Sequence, residues 1–286
     1  TLLLAVGLVT LLLPISKGST WGWTSTTTLA LFVVSVAVFA VFAGWQFRTA
    51  APIVDLRTTL RRPVLTTNIA AILVCFAMFA FGLVAPQALE LPTGTGYGLG
   101  QSMVQAGLWL APGGLAMMLA SPLAARVAAR RGPKFTLVCG SAIIAVAYLG
   151  AVWLLGSPPA VMVVNIVISM GVGFAYSSLP ALINAAVPVS ETAAANGINA
   201  LARSLGTSIS SAVIGVVLAT MTITYGGHTV PSLNGLRAAL LIAAAVAALA
   251  AVIAMTIPRT DEPDESALSD WAAEEAELAG DPLIRG

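Results

Sequence analysis

The sequence predicts an all-α membrane protein with eight transmembrane helices, and three observations carry that reading. Of the 286 residues, 58% are apolar and only 9% are charged, against about a quarter charged in a soluble domain, and the mean hydropathy is +0.94. The apolar residues fall in continuous runs of the length a bilayer requires, about 20 residues for a helix. The basic residues fall in alternate connections between those runs, the asymmetry expected of membrane loops. A soluble chain of this length would still need charged residues to cover its surface, and here they are too few and too clustered.

The runs lie at residues 27–47, 66–89, 102–125, 135–155, 159–187, 195–222 and 234–257, preceded by a shorter run at 1–15. That first run spans about 22 Å as a helix, short of a hydrocarbon core of about 30 Å. It also starts on Thr1, so the chain is expected to begin inside a helix. A signal peptide is the competing reading, but no basic segment precedes the run and no small-residue cleavage site follows it. Strands are excluded as spanning units because the runs are continuous rather than alternating, and an open sheet in lipid leaves backbone groups unpaired.

One set of connections carries Arg48, Arg57, Arg61 and Arg62, then Arg126, Arg130, Arg131 and Lys134; the opposite set carries Lys17 and Arg237. The first set is therefore assigned to the cytoplasm, with both chain ends, and Trp21, Trp23 and Tyr225 to the outer interface. Residues 1–258 hold 11 basic and 3 acidic groups, whereas 259–286 hold 2 basic and 9 acidic. Four segments follow: two spans in 1–47, a basic connector over 48–65 suited to anionic headgroups, six spans in 66–257, and an acidic, mostly disordered tail at 258–286. The six spans divide three and three, as in a bundle built from an inverted repeat.

Three segments carry a specific resemblance: 51–68 (APIVDLRTTLRRPVLTTN), 95–118 (TGYGLGQSMVQAGLWLAPGGLAMM) and 187–219 (VPVSETAAANGINALARSLGTSISSAVIGVVLA). They resemble the fourteen-helix drug:proton antiporters of the major facilitator superfamily, the EmrB/QacA-like exporters. The resemblance implies that the first two spans are central linker helices and the last six the C-terminal bundle. It also implies that the N-terminal bundle, with most proton-coupling carboxylates, lies upstream of Thr1. The partners implied are the bilayer, that missing bundle, drug-like molecules and protons, in a bacterial inner membrane.

Nothing in the residues suggests an enzyme, a cofactor, a metal site or nucleic-acid binding. The single histidine, His228, falls in a predicted outer loop, leaving almost no material for a His-dependent triad or zinc site. Cys75 and Cys139 each lie inside an apolar run and read as packing thiols. The loop 94–100 (GTGYGLG) has phosphate-loop glycines but joins two membrane spans with no preceding strand, and reads as a tightly turning or flexible outer loop.

The segment 121–134 (SPLAARVAARRGPK) resembles the superfamily's cytoplasmic conformational motif, with Pro122, Arg126, Arg130 and Gly132 as its candidate residues. Ala125 and Ala129 stand where a glycine and an aspartate are usual, so the arginines either form a charge lock without its local acid or act only as a positive anchor. Arg203 lies within a run, eight residues past its start, where an arginine is costly. At the inner boundary it snorkels or pairs; deeper, it belongs to a cavity or gate. Asn199, on the same helix, and Asn165 and Asn184, on the helix before, are the polar cavity candidates. Phe76, Phe79 and Trp109, with Met78 and Phe81, line a pocket for bulky apolar cations or simply face lipid. Small residues at Gly206 with Ser210 and at Ser211 with Gly215 are expected to let helices approach closely.

Overall fold

The computed structural model describes residues 25–48 and 60–258, with positions 6, 7, 9–11, 13, 14, 17, 21 and 22. Helix α1 is Thr26–Arg48, apolar over Thr26–Phe42. Six helices long and apolar enough to cross a membrane follow: α2 (Arg62–Glu90), α3 (Met103–Arg131), α4 (Pro133–Leu154), α5 (Pro158–Asn184), α6 (Thr192–Thr220) and α7 (Leu233–Thr256). The run at 1–15 is only partly described; the central part of the connector and nearly all of the acidic tail lie outside the described residues.

Two helices run further than the apolar runs suggest. Helix α2 starts at Arg62, within the expected connector, because Pro63 sits in its first turn, where a missing N–H costs nothing and φ is already helical. Helix α3 continues to Arg131, so Arg126, Arg130 and Arg131 ride on its last turns rather than in a loop. A single residue, Gly132, turns the chain into α4.

The strongest packing is between α4 and α5, α3 and α5, α2 and α6, α4 and α7, and α2 and α7, with α2 also meeting α5. This pattern is unchanged when α2, α3 and α4 are exchanged for α5, α6 and α7, the signature of a three-plus-three repeat that the sequences of the halves do not betray. Helices α2 and α5 form the centre, whereas α3 and α6 each pack mainly on one neighbour. Accordingly 56% of the apolar window of α2 is buried, against 17% for α3 and 28% for α6.

Close approach depends on small residues. A Cβ on Gly140 of α4 would lie 2.6 Å from the Gly171 carbonyl oxygen of α5. Helix α7 turns a stripe of buried alanines, Ala239, Ala243, Ala247, Ala250 and Ala254, toward the core. At the centre the Tyr148 hydroxyl of α4 donates to the Ala77 carbonyl of α2, and its ring meets Phe81 edge-on at 6.0 Å.

The two ends of the bundle differ. At the basic end lie Arg62, the α3–α4 turn and the close of α7, where Lys134 Nζ donates to the Ile257 carbonyl at 2.5 Å, a cation capping a helix C-terminus. At the opposite end a hairpin that the sequence reading missed links α6 to α7. Strand β1 (Thr222–Tyr225) pairs antiparallel with β2 (His228–Pro231), Tyr225 opposite His228. Gly226 and Gly227 turn it at φ 58° and 80°, the two-residue turn that Gly-Gly favours.

The glycine-rich loop folds back on α2 at this same end. The amides of Leu99, Gly100 and Gln101 donate to the carbonyls of Ala88, Leu91 and Leu89, so they close a helix end rather than cradle an anion. The charge asymmetry sets an expected result for orientation. In intact cells an impermeant thiol reagent labels a cysteine at Thr229, in the hairpin, and not one at Thr58, in the basic connector. Labelling at Thr58 from outside reverses the assignment.

Candidate functional site

A polar cluster joins α2, α5 and α6 in the half of the bundle nearer the basic end. Asn199 of α6 is fully buried, and its Nδ2 donates to Oδ1 of Asn68 on α2 at 2.9 Å. Its Oδ1 in turn accepts from Arg203 Nη1 at 3.0 Å, one helical turn further along. The Arg203 guanidinium lies over the Tyr176 ring of α5, 5.3 Å from the ring centre, a contact worth about 0.5–2 kcal/mol. The Cys75 thiol of α2 donates to the Tyr176 hydroxyl at 3.4 Å.

Each helix supplies these groups from one face. Asn68 and Cys75 are seven residues apart on α2, two turns along the same side. On α6, Ala195, Asn199, Ala202, Gly206, Ser210, Ile214 and Leu218 form the buried stripe. Gly206 lets that stripe sit against α2, since a Cβ there would lie 2.2 Å from the Ile72 carbonyl oxygen. The close contact expected at Gly206 is therefore present. Gly215 has no atom within 4 Å of a would-be Cβ, so the expected second contact does not form.

Helix α6 runs seventeen residues beyond Arg203. Its last residue is Thr220, with a strand starting at Thr222. A span of about 20 residues closing at Thr220 begins near residue 201, which puts Arg203 about 3 Å from its inner boundary. Its partners are a carboxamide and a ring face, so the charge sits among neutral groups.

A cavity of about 230 Å³ lies between α2, α3 and α5, lined by Met78, Phe81, Leu110, Met117, Asn165 and Ser169, among others. Asn165 Nδ2 donates to the Leu110 carbonyl of α3 at 2.8 Å, and Gly113 makes room for it. This contact repeats the Asn68–Asn199 contact under the exchange of halves. Asn199 and Leu110 are each the eighth residue of their helix, α6 and α3, and Asn68 and Asn165 are the seventh and eighth of α2 and α5.

The other residues singled out from the sequence go elsewhere. Phe76 is buried in the core and Phe79 is exposed on the outside of α2. Trp109 Nε1 donates to Gln101 Oε1 at 3.1 Å, by the glycine-rich loop. Asn184 is exposed and accepts from Asn196 Nδ2 at 2.6 Å, tying α5 to α6. Asn68, Cys75 and Tyr176 were not among the candidates. Asn68 and Cys75 share a face with the apolar core, and Tyr176 is an ordinary membrane-helix aromatic, so only the fold brings them to Arg203.

Pro122, Arg126 and Arg130 are exposed along the last turns of α3. Arg131 stacks on Phe135, 5.1 Å from the ring centre. Gly132 has φ 85° and ψ 156°, a region essentially reserved for glycine. Gly132→Ala is therefore expected to destabilise the bundle by about 1–3 kcal/mol, measured as lower thermal stability of the purified protein. An unchanged melting temperature would show that the turn relaxes freely.

A family model described as the Major Facilitator Superfamily matches residues 1–211. The chain belongs to the major facilitator superfamily. It is a multi-pass membrane protein, and its relatives in this superfamily include transporters named for drug resistance. It is 27% identical over 190 residues to the multidrug efflux pump LfrA of Mycolicibacterium smegmatis, covering 66% of this chain and 36% of that protein. It is 26% identical over 220 residues to the multidrug resistance protein Stp of Mycobacterium tuberculosis, covering 76% and 40%. With a tetracycline resistance determinant of Streptomyces rimosus it shares 29% identity over 221 residues, covering 74% and 60%. The chain thus spans 36–40% of the length of the two mycobacterial relatives.

Proposed function

We propose that this chain is the C-terminal part of a proton-coupled exporter of drug-like or secondary-metabolite molecules, of the fourteen-helix antiporter type. The observation that carries the reading is the Asn68–Asn199–Arg203–Tyr176 cluster: a cation held among neutral groups inside an otherwise apolar bundle, a placement that marks function in membrane proteins. The names of the resistance proteins it resembles support export as the direction and drugs as the substrate class.

In this reading residues 1–47 are linker helices and α2–α7 form one wall of a midplane cavity. An N-terminal bundle docks on the open faces of α3 and α6, the least buried helices. The stripe Val104, Leu108, Leu115 and Leu119 on α3 is strongly exposed and gives that bundle an apolar surface. The basic end and the acidic tail face the cytoplasm of a bacterial inner membrane. Alternating access rocks the bundles about the cavity, with Arg203, Asn199 and Asn165 as candidate lining groups and Arg126 and Arg130 at the inner gate. Up to Pro258 the only acidic residues are Asp55, Glu90 and Glu191, none within a predicted apolar run, so coupling carboxylates come from the other bundle.

The test is dye accumulation in inverted vesicles under an imposed proton gradient. The complete transporter accumulates dye only with the gradient, and vesicles carrying this chain alone match empty ones. Gradient-driven accumulation by the chain alone would falsify the half-transporter reading, and gradient-independent accumulation by the complete transporter removes proton coupling.

A further inference from the structure

We propose a second ligand site at the hairpin end, separate from the Arg203 cluster, that takes uncharged, oxygen-rich molecules. A cavity of about 430 Å³ opens there between α2 and α6 beneath the β1–β2 hairpin, within the size range of small-molecule sites. Gln87 of α2, Ser211 of α6 and Thr222 and Thr229 of the hairpin all border it, with Leu83 and Leu218 as its apolar side.

Those four polar side chains make no hydrogen bond to the protein among the described residues. Ser204, Thr207 and Thr220 of the same helix as Ser211 instead donate to carbonyls of their own preceding turn. Four side chains that both donate and accept therefore converge on one space with their capacity unspent. Ser211 lies eight residues beyond Arg203 along α6, about 12 Å toward the hairpin end, so the two sites are distinct in depth.

The roof is fixed rather than loose. Tyr97 of the glycine-rich loop donates from its hydroxyl to the Pro231 carbonyl at 2.5 Å. Ser232 Oγ donates to the Met221 carbonyl at 2.8 Å, closing the base of the hairpin. The Tyr225 hydroxyl rests on Gly94, where a Cβ would lie only 1.9 Å from it.

The lining decides the ligand class. Among the described residues no charged side chain and no aromatic ring borders the cavity. An organic cation finds neither a carboxylate nor a ring face, and an anion finds no guanidinium or ammonium. Hydroxyl and carbonyl groups of a neutral ligand match the hydroxyls and the carboxamide, and its apolar part lies on Leu83 and Leu218.

The experiment measures protection of a thiol, which does not depend on transport or on the export reading. Ala219→Cys, in the cavity wall, is introduced into the complete transporter in nanodiscs and labelled with a water-soluble thiol reagent. The rate without the substitution is subtracted to remove Cys75 and Cys139. The probes are phenyl β-glucoside and phenyltrimethylammonium, which share an apolar ring and differ in head group. At four times its Kd the glucoside slows labelling about fivefold, the ammonium probe leaves it unchanged, and a cysteine at Thr93, in the outer loop, is unaffected by either.

Adding Gln87→Leu with Thr229→Val abolishes the protection while the thiol stays reactive. Equal effects of the two probes, no protection at any concentration, protection that survives the double substitution, or a thiol that never reacts because the other bundle fills the space each overturn the proposal.

Discussion

Gly206→Ala lowers the stability of the bundle by about 1–3 kcal/mol, the cost of overpacking a close contact, and separates α2 from α6. The new methyl group would lie 2.2 Å from the Ile72 carbonyl oxygen, so the helices move apart by roughly 1 Å or more to restore ordinary contact. That movement also stretches the 2.9 Å bond between Asn199 and Asn68, so packing and site fail together. Gly197→Ala on the same helix is the control: no atom lies within 4 Å of its would-be Cβ, and alanine is the better helix former by up to about 1 kcal/mol. Thermal melting of the two purified variants checks the contrast, and equal melting temperatures would show that α6 is not held at Gly206.

On the proposed export function, Arg203→Lys leaves the complete transporter abundant in the membrane but removes most of its export. The guanidinium performs two tasks at once, donating to Asn199 Oδ1 and lying flat on the Tyr176 ring. An ammonium is a point charge that satisfies one of these and not both. A charge-assisted hydrogen bond is worth about 1.5–3 kcal/mol, which is roughly tenfold to more than a hundredfold in an equilibrium that depends on it. Gradient-driven dye export at matched protein abundance is the measurement. Wild-type export by the lysine variant would reduce Arg203 to a group that only needs to reach water.

The two asparagine contacts place these effects in one framework. Asn68 meets α6 nearer the basic end and Asn165 meets α3 nearer the hairpin end, at matching positions of the two halves. Contacts of this kind hold α6 and α3 to the central helices. Neither helix has another strongly packed neighbour.

What the sequence determined by itself was the solvent and the outline. Runs of about 20 apolar residues must cross lipid as helices, because no other open structure there satisfies its backbone. The positions of α2 to α7 were legible for that reason, with Pro63 and the arginines of α3 shifting their ends by a turn or two. The hairpin was legible as well, in Gly226–Gly227, and was missed against the apolar background. The glycine at Gly206 also announced a close helix contact correctly.

Only the tertiary structure decided which polar groups meet. Inside a bilayer most faces of a helix are apolar, so periodicity does not reveal which face turns inward, and Phe76 and Phe79, three residues apart, end up buried and exposed. Facing is set instead by small residues that let backbones approach, and those contacts join residues far apart in the chain. Asn68 and Asn199 are 131 positions apart, and it is the fit of Gly206 against Ile72 that brings their carboxamides within one hydrogen bond.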